Sequence, residues 1–195
     1  MMRNGIMAVA LLSAASVATA QPEPTIDFDI RYYDVVGATT AEIRSSVFRS
    51  TPIRIKGSPY GAITENRFTT GYSSFGTSSG GCEVKNVRVF LESKITLPRL
   101  VINGQSAPVL AEWERYIGAL RAHEMMHANN GKYTAETVAG RLYNFKSQIP
   151  CDQLRSKLDA AVNQLIHNMG VWDQQLDAQT EHGKSQGAFL RPGFR

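Results

Sequence analysis

Residues 122–131 read AHEMMHANNG, and the H-E-x-x-H pattern within this stretch decides the interpretation of the whole chain. Apolar residues recur at helical spacing from residue 108 to residue 130, which predicts a helix. Because an α-helix turns by about 100° per residue, Glu124 and His127 continue the apolar stripe of this helix and His123 lies beside it. The sequence therefore predicts three polar side chains on the interior side of one helix.

The helix that carries this motif is expected to end at Gly131, because glycine commonly follows the last turn of a helix. Two further helices are predicted, from about residue 133 to 147 and from residue 152 to 183. In the last of these, apolar residues again recur at spacings of three and four. The second half of the chain is thus predicted to be helical.

Before residue 104 the apolar residues alternate instead, which is typical of strands with one buried face. Strands are predicted at residues 25–36, 53–56, 67–73 and 82–98, with a short helix at 41–50 and a mobile loop rich in glycine and serine at 73–81. We therefore expect an α+β fold, in which a small, mainly antiparallel sheet in the N-terminal half packs on the C-terminal helical half. Because the chain shows neither a repeat nor a linker, residues 21–195 are expected to form a single domain.

Buried imidazole and carboxylate groups need a partner, because burying them alone costs several kcal/mol. Histidines at positions i and i+4 lie on one face of a helix, so His123 and His127 can converge on one zinc ion at about 2.0–2.1 Å. Glu124 is rotated too far from this pair to be the natural third ligand. It can reach a water molecule on the metal and act as the general base. The sequence thus predicts one Zn²⁺ per chain, held by the two histidines, with Glu124 as the catalytic residue.

A catalytic zinc site normally takes three protein ligands and leaves the fourth position to water. We expect His182 to be the third ligand, since it lies where the last helix ends and its side chain can turn toward the cleft. Asp177 or Thr180 is expected to hold the second ring nitrogen of a ligating histidine and so fix the direction of its ring. Glu136 and His167 are interpreted as solvent-facing residues.

The first twenty residues have the composition of a secretory signal peptide, with a basic start at Arg3, an apolar run and a small-residue cleavage site at 18–20. The mature chain is expected to begin near Gln21, and no later segment reaches the length and apolar character of a transmembrane segment. In an oxidising compartment, Cys82 and Cys151 are expected to form a disulfide. The predicted location is the periplasm or the exterior of a bacterial cell.

The charge of the chain bears on its partners. It carries 21 Lys and Arg against 17 Asp and Glu, a formal net charge of +4. The basic residues form no run, which argues against a nucleic-acid-binding protein. This charge supports at most a weak association with anionic envelope surfaces. Nucleic acid is therefore not an expected partner.

Four stretches together resemble the bacterial domain of unknown function family 922, whose members are predicted secreted zinc-dependent proteases. They are YYDVVGATTAEI at 32–43, CEVKNVRV at 82–89, HEMMH at 123–127 and DAQTEHG at 177–183. The likeness covers roughly residues 28–183. It implies a compact zincin-like α+β domain, with His123, His127 and His182 on zinc and Glu124 as the catalytic acid and base.

These features favour a secreted or periplasmic zinc metallopeptidase. Zinc lowers the pKa of its bound water, Glu124 takes the proton as the water attacks the carbonyl carbon, and Tyr133 is the proposed donor to the oxyanion. The expected partner is a peptide or protein substrate. Two alternatives stay open, an exported zinc-binding envelope protein without activity and a zinc amidase that cleaves an amide of the cell wall.

Overall fold

A computed structural model describes residues 22–195, and the signal peptide predicted for residues 1–20 lies outside this range. The elements follow one another as β1 (Thr25–Val35), α1 (Thr40–Ser50), β2 (Arg54–Ile55), β3 (Ser58–Pro59), β4 (Ile63–Gly76), β5 (Cys82–Leu100), α2 (Ala107–Leu142), β6 (Lys146–Ser147) and α3 (Cys151–Thr180), with a 3₁₀ turn at Lys184–Gln186. The N-terminal half is mainly sheet and the C-terminal half is helical. This arrangement confirms the predicted α+β class.

Strand β5 is the centre of the main sheet. It pairs antiparallel with β4 and β6, and parallel with β1 from Thr25 opposite Phe90 to Val35 opposite Leu100. Residues of β5 alternate in burial, because one face of the sheet packs on α2. Strand β4 extends to Gly76, so the loop expected at 73–81 is shorter than predicted: pairing with β5 satisfies the backbone of this glycine- and serine-rich stretch.

Helix α2 runs without interruption from Ala107 to Leu142. The predicted end at Gly131 is therefore wrong, and the structure gives the glycine another role. A Cβ atom at Gly131 would lie 2.5 Å from the side chain of Asn66 on β4, so glycine is what allows this side chain to approach the helix. Asn66 uses the space to donate a hydrogen bond from Nδ2 to the carbonyl of His127 at 3.0 Å.

The core has two parts that lie along α2. One part packs β1 and the end of β5 against α1 and the first half of α2, with Ile43, Ile95 and Trp113 among its buried members. The other packs the start of β5 against the last part of α2 and the start of α3, around Val138 and Leu154. The H-E-x-x-H motif lies near the middle of α2, at the end of the stretch that the first part takes from the helix, and the second part takes residues from Ala135 onward. The packing of both parts thus holds α2 in place at and after the motif.

A disulfide joins Cys82 at the start of β5 to Cys151 at the start of α3, as predicted. The two residues are separated by 69 positions in the sequence. Closing a loop of this length lowers the entropy of the unfolded chain, which on the chain-entropy estimate stabilises the fold by about 4 kcal/mol. The bond ties the first turn of α3 to the sheet.

Helix α3 ends at Thr180, three residues before the predicted end. Glu181, His182 and Gly183 have φ values of 50°, 55° and 77°, so the chain reverses in a left-handed turn. A Cβ atom at Gly183 would lie 2.8 Å from the ring of His123, which means that glycine lets this turn pack against the motif. None of the helices within residues 22–195 combines the length and apolar character that crossing a membrane requires.

Candidate metal centre

Two helices supply the polar groups of the site. Helix α2 directs His123, Glu124 and His127 inward, where they are 2%, 5% and 6% exposed. Helix α3 packs against α2 and contributes Asp173 and Asp177, which lie one turn apart on the same helix face. The spacing of four residues on α3 therefore matches the spacing of the two histidines on α2.

Three of these side chains converge. The Oδ1 atom of Asp177 lies 3.0 Å from Nε2 of His123 and 3.2 Å from Nε2 of His127, and the two Nε2 atoms are 3.3 Å apart. Ligand atoms at 2.0–2.1 Å around a tetrahedral zinc ion are separated by about 3.3 Å. Among residues 22–195, His123, His127 and Asp177 form the one group of three or more His, Cys, Asp and Glu residues with ligand atoms this close together. The donor set fits a zinc ion.

The far sides of both rings are held by oxygen acceptors. Nδ1 of His127 donates to Oδ1 of Asp173 at 2.9 Å, and Nδ1 of His123 donates to Oε1 of Gln186 at 2.9 Å. With Nδ1 protonated, each neutral ring directs the lone pair of Nε2 toward the carboxylate of Asp177. Three acceptors that face one another repel unless a proton or a cation lies between them. The hydrogen bonds therefore prepare the site for a positive charge.

The pKa values of these groups follow the same electrostatics. Burial lowers the pKa of His127, but hydrogen bonds and charge from Asp173 and Asp177 outweigh it and raise this pKa to about 10. Burial raises the pKa of Asp177, and its contacts with the two histidines outweigh that effect, so the net shift is downward. Both shifts favour the charged forms, namely an ionised Asp177 beside a protonated His127. A metal ion at this point would replace the proton on the histidine.

Glu124 lies beside this triangle but is not part of it. Its Oε2 atom accepts a hydrogen bond from Oγ1 of Thr64 at 2.7 Å. Burial raises the pKa of Glu124, and the Thr64 hydrogen bond and the nearby histidines oppose that rise only in part. A carboxylate with a raised pKa is a better proton acceptor than one in water, which suits a general base.

Strand β4 sets the position of α2. Thr64 and Asn66 are two positions apart in the strand, so their side chains point to the same side of the sheet. The Thr64 hydroxyl lies 3.0 Å from the carbonyl of Glu124, and the Asn66 amide donates to the carbonyl of His127. These contacts bind two successive turns of the helix to the sheet at the motif. Sequence reasoning missed both residues, because the strand predicted at 67–73 began after them, whereas β4 already begins at Ile63.

A cleft of about 500 Å³ opens onto the site. The site residues Glu124, His127, Asp173 and Asp177 line one part of it. His182 also lines the cleft. A small molecule or a side chain of a larger substrate has room to reach the converging ligand atoms, since cavities of this size are typical of ligand sites.

His182 does not lie in the triangle with the other two histidines. Its Nδ1 atom is 3.3 Å from Oδ2 of Asp177, and its side chain is 51% exposed on the left-handed turn after α3. Asp177, which we expected to orient a histidine, occupies the third position instead. Zinc binding by His182 stays a prediction. The Thr180 hydroxyl donates to the carbonyl of Leu176 at 2.7 Å and accepts from the Gly183 amide, so it holds the end of α3 and contacts no histidine ring.

The remaining predicted residues lie away from the cleft. Tyr133 is 68% exposed on α2 and does not line the cleft, so the structure does not bring this candidate oxyanion donor to the site. Glu136 lies 3.8 Å from Lys132 on the surface of the same helix. His167 is exposed on α3. Asp173 was missed; the signal that points to it is its i, i+4 spacing with Asp177.

Comparison with known proteins gives one match. A protein-family model described as "Bacterial protein of unknown function (DUF922)" matches residues 30–183. The matched range contains the three converging residues, Glu124 and Asp173. No curated protein and no solved structure matches the chain.

Proposed function

The chain belongs to the DUF922 family of bacterial proteins of unknown function, and from that premise we propose that it is an exported zinc-dependent peptidase. The observation that supports this proposal best is the triangle of His123, His127 and Asp177 beside the buried carboxylate of Glu124. Two histidines and a carboxylate form a donor set of catalytic zinc sites, which leave one position to water or substrate.

His123, His127 and Asp177 would hold the zinc ion. When bound, zinc acts as a Lewis acid toward a carbonyl oxygen and makes a water molecule easier to deprotonate. Asp173 and Gln186 would keep the two imidazole rings in the tautomer that a metal requires, because their oxygens accept from Nδ1. The hydrogen bonds of both Nδ1 atoms would thus serve to orient the metal ligands.

Glu124 would move the proton. Its carboxylate takes a proton from the attacking water as the new C–O bond forms at the carbonyl carbon, and passes that proton to the amine nitrogen as the C–N bond breaks. Thr64 holds the carboxylate during both transfers through the hydrogen bond to Oε2. Burial favours this role, because a raised pKa lets Glu124 accept the proton more readily than an exposed glutamate does.

Export is part of the proposal. The disulfide between Cys82 and Cys151 supports an oxidising compartment, where such bonds persist. The sequence of residues 1–20 supports it independently, since its composition is that of a signal peptide. The proposed location is the periplasm or the exterior of the cell.

The test compares two variants of one helix. Glu124→Gln removes the proposed base and keeps the shape of the side chain, whereas Glu136→Gln makes the same change on the exposed side of α2. We expect Glu124→Gln to bind zinc like the parent and to lose peptide hydrolysis, followed by mass spectrometry of an unbiased peptide mixture. Glu136→Gln should keep both properties. Hydrolysis that survives in Glu124→Gln would contradict the proposed mechanism.

A further inference from the structure

The cleft continues beyond the candidate metal centre along α2. Leu120 and Tyr116 also line it, and they precede Glu124 by one and two turns of the helix. A rise of 1.5 Å per residue places Tyr116 about 12 Å from Glu124 along the helix axis. The cleft is therefore much longer than the metal centre alone requires.

The walls of this second part are mainly apolar. Helix α1 contributes Val47 and Phe48, the segment before β4 contributes Gly61 and Ala62, and the C-terminal segment contributes Leu190. Val47, Leu120 and Leu190 are buried, so they form the floor of the cleft rather than its rim. We refer to the part lined by Val47, Gly61, Tyr116, Leu120 and Leu190 as the apolar compartment. Unfilled apolar space costs packing energy, which favours a compartment that receives a ligand group.

The wall formed by the C-terminal segment is held in place by charged contacts. Arg115 donates to the carbonyls of Gly187 and Phe189 at 2.8 and 2.5 Å, and Arg191 donates to the buried carboxylate of Glu112. Leu190 lies between these anchored residues. The compartment is thus formed before any ligand arrives, which lowers the entropic cost of binding.

The compartment also has a chemical preference. All the acidic and histidine side chains that line the cleft come from α2, α3 and the turn that follows α3. Helix α1 and residues 55–63 contribute mainly apolar side chains, with the exposed Arg44 as the exception. A group that enters from the metal centre therefore meets aliphatic and aromatic walls.

We propose that the apolar compartment receives a bulky apolar side chain of the substrate next to the bond that is cleaved. This inference rests on the proposed function and names its substrate class: polypeptides with a residue such as phenylalanine or leucine beside the scissile bond. A small residue beside the scissile bond would leave the compartment empty, and a charged residue there would place its charge against apolar walls. Leu190 lies outside residues 30–183, which the family model matches, so one wall of the compartment is formed by a residue beyond the matched range.

Gly61 offers a way to fill the compartment with little strain. A Cβ atom at this position would lie 3.4 Å from the Tyr116 hydroxyl and 3.5 Å from Cγ1 of Val47, which are ordinary contacts. We expect the two further methyl groups of Gly61→Val to extend from this Cβ and to reduce the volume of the compartment, which Gly61 lines. Gly76→Val is the matched control, because a side chain there meets nothing within 4 Å. Circular dichroism melts of both variants check that they fold.

The first measurement uses blocked peptides that are identical except for one position, occupied by Phe, Leu, Ala or Asp. For the parent and Gly76→Val with zinc, we expect kcat/KM for cleavage next to Phe or Leu to exceed that next to Ala by about tenfold or more. Gly61→Val should lose this advantage and still cleave next to Ala. Cleavage with no such preference would overturn the compartment's role and leave the peptidase proposal standing.

The second measurement does not depend on turnover. Calorimetry compares the binding of 3-phenylpropanohydroxamic acid and acetohydroxamic acid, which share the metal-binding group and differ in the phenyl group. We expect the phenyl compound to bind the parent about tenfold more tightly, and to lose this margin in Gly61→Val. Equal affinities in the parent would overturn the inference. A phenyl preference without hydrolysis of any peptide would overturn the peptidase proposal and keep the compartment as a binding site.

Discussion

Thr64 donates its hydroxyl to the carboxylate of Glu124 at 2.7 Å and lies 3.0 Å from the carbonyl of the same residue. We regard it as a positioning residue. Thr64→Val keeps the shape and removes the donor, so we expect kcat to fall by about 10- to 100-fold, because the base is no longer held. Zinc content should be unchanged, since the hydrogen bonds of the Thr64 side chain go to Glu124 and not to a histidine ring.

Thr64→Ser supplies the control, because serine restores the hydroxyl and lacks only the methyl group. Steady-state kinetics should show kcat recovered in this variant. A purely structural role for Thr64 predicts the opposite order, in which loss of the methyl group harms Thr64→Ser as much as Thr64→Val. That result, or an unchanged kcat in Thr64→Val, would contradict the positioning role.

Sequence reasoning reached the residues on α2, but on α3 it gave Asp177 another role and missed Asp173. Helical periodicity alone places His123, Glu124 and His127 on the interior face, as the structure does. Asp177 was predicted near a histidine but not as the third member of the triangle. The cause is the left-handed turn after Thr180, which leaves His182 half exposed, and such a reversal of the backbone has no signal in the periodicity.

At the scale of elements, the contact between β4 and α2 depends on Gly131. Replacing a helical glycine by alanine stabilises an exposed helix by about 1 kcal/mol, as we expect for Gly118→Ala, whose Cβ meets nothing within 4 Å. Gly131→Ala should instead lower the free energy of unfolding by about 1 kcal/mol, because the added methyl displaces Asn66 and its hydrogen bond to His127.

A double-mutant cycle tests this explanation. In an Asn66→Ala background the obstacle is absent, so Gly131→Ala should become stabilising, like Gly118→Ala. Urea unfolding of the four proteins measures the sign of each change. If Gly131→Ala has the same effect with and without Asn66, the close approach of the two elements does not explain the glycine.

The elements themselves were predicted with uneven success. Alternation located β1 and β5, but it contains no information on their parallel pairing, which depends on how distant parts of the chain meet. Composition suggested a loop at 73–81, and β4 continues to Gly76 because β5 offers partners for its backbone. The helix that was expected to end at Gly131 continues past it. Glycine is required there for the close packing of Asn66 and not because the helix ends.

At the scale of the whole molecule, Glu112 joins the C-terminal segment to the core. Its side chain is fully buried and bonds to Arg115 and Arg191. The hydrogen bond from Arg115 lowers the pKa of Glu112 to about 2, although burial opposes the shift. Since this pKa lies below the unfolded value of 4.5, the ion pair contributes its full stability above about pH 4.5 and loses it as the pH falls toward 2.

Glu112→Gln should therefore be less stable than the parent at pH 7, and the difference should shrink as the pH falls below 4.5 by at most about 1.4 kcal/mol per pH unit. Glu114→Gln, an exposed change on the same helix, is the control and should follow the parent at each pH. Urea titrations at pH 7, 5 and 3 measure these differences. A difference between parent and Glu112→Gln that stays constant with pH would rule out this linkage.

The α+β class and the disulfide could be predicted because each depends on a strong signal in the sequence, namely apolar periodicity for the class and a single pair of cysteines, together with the predicted signal peptide, for the disulfide. The C-terminal segment could not be predicted in the same way. Its course depends on Arg115 and Glu112, which lie far away in the sequence. The cleft and its apolar compartment follow from that course.

The central claim is that His123, His127 and Asp177 hold a zinc ion, and the zinc content of purified protein tests it most directly. We would purify the protein without a metal-binding tag and measure zinc per chain by elemental mass spectrometry, for the parent and for three single variants of its C-terminal region. These are Asp177→Ala, His182→Ala and, as a surface control on α3, Gln175→Ala.

We predict one zinc ion per chain in the parent, in Gln175→Ala and in His182→Ala, and a large loss in Asp177→Ala. Loss in His182→Ala with retention in Asp177→Ala would contradict the assignment of the third ligand and restore the prediction from sequence. A parent that holds no zinc after zinc is supplied and the excess removed would contradict the metal centre itself, and the proposed peptidase activity with it.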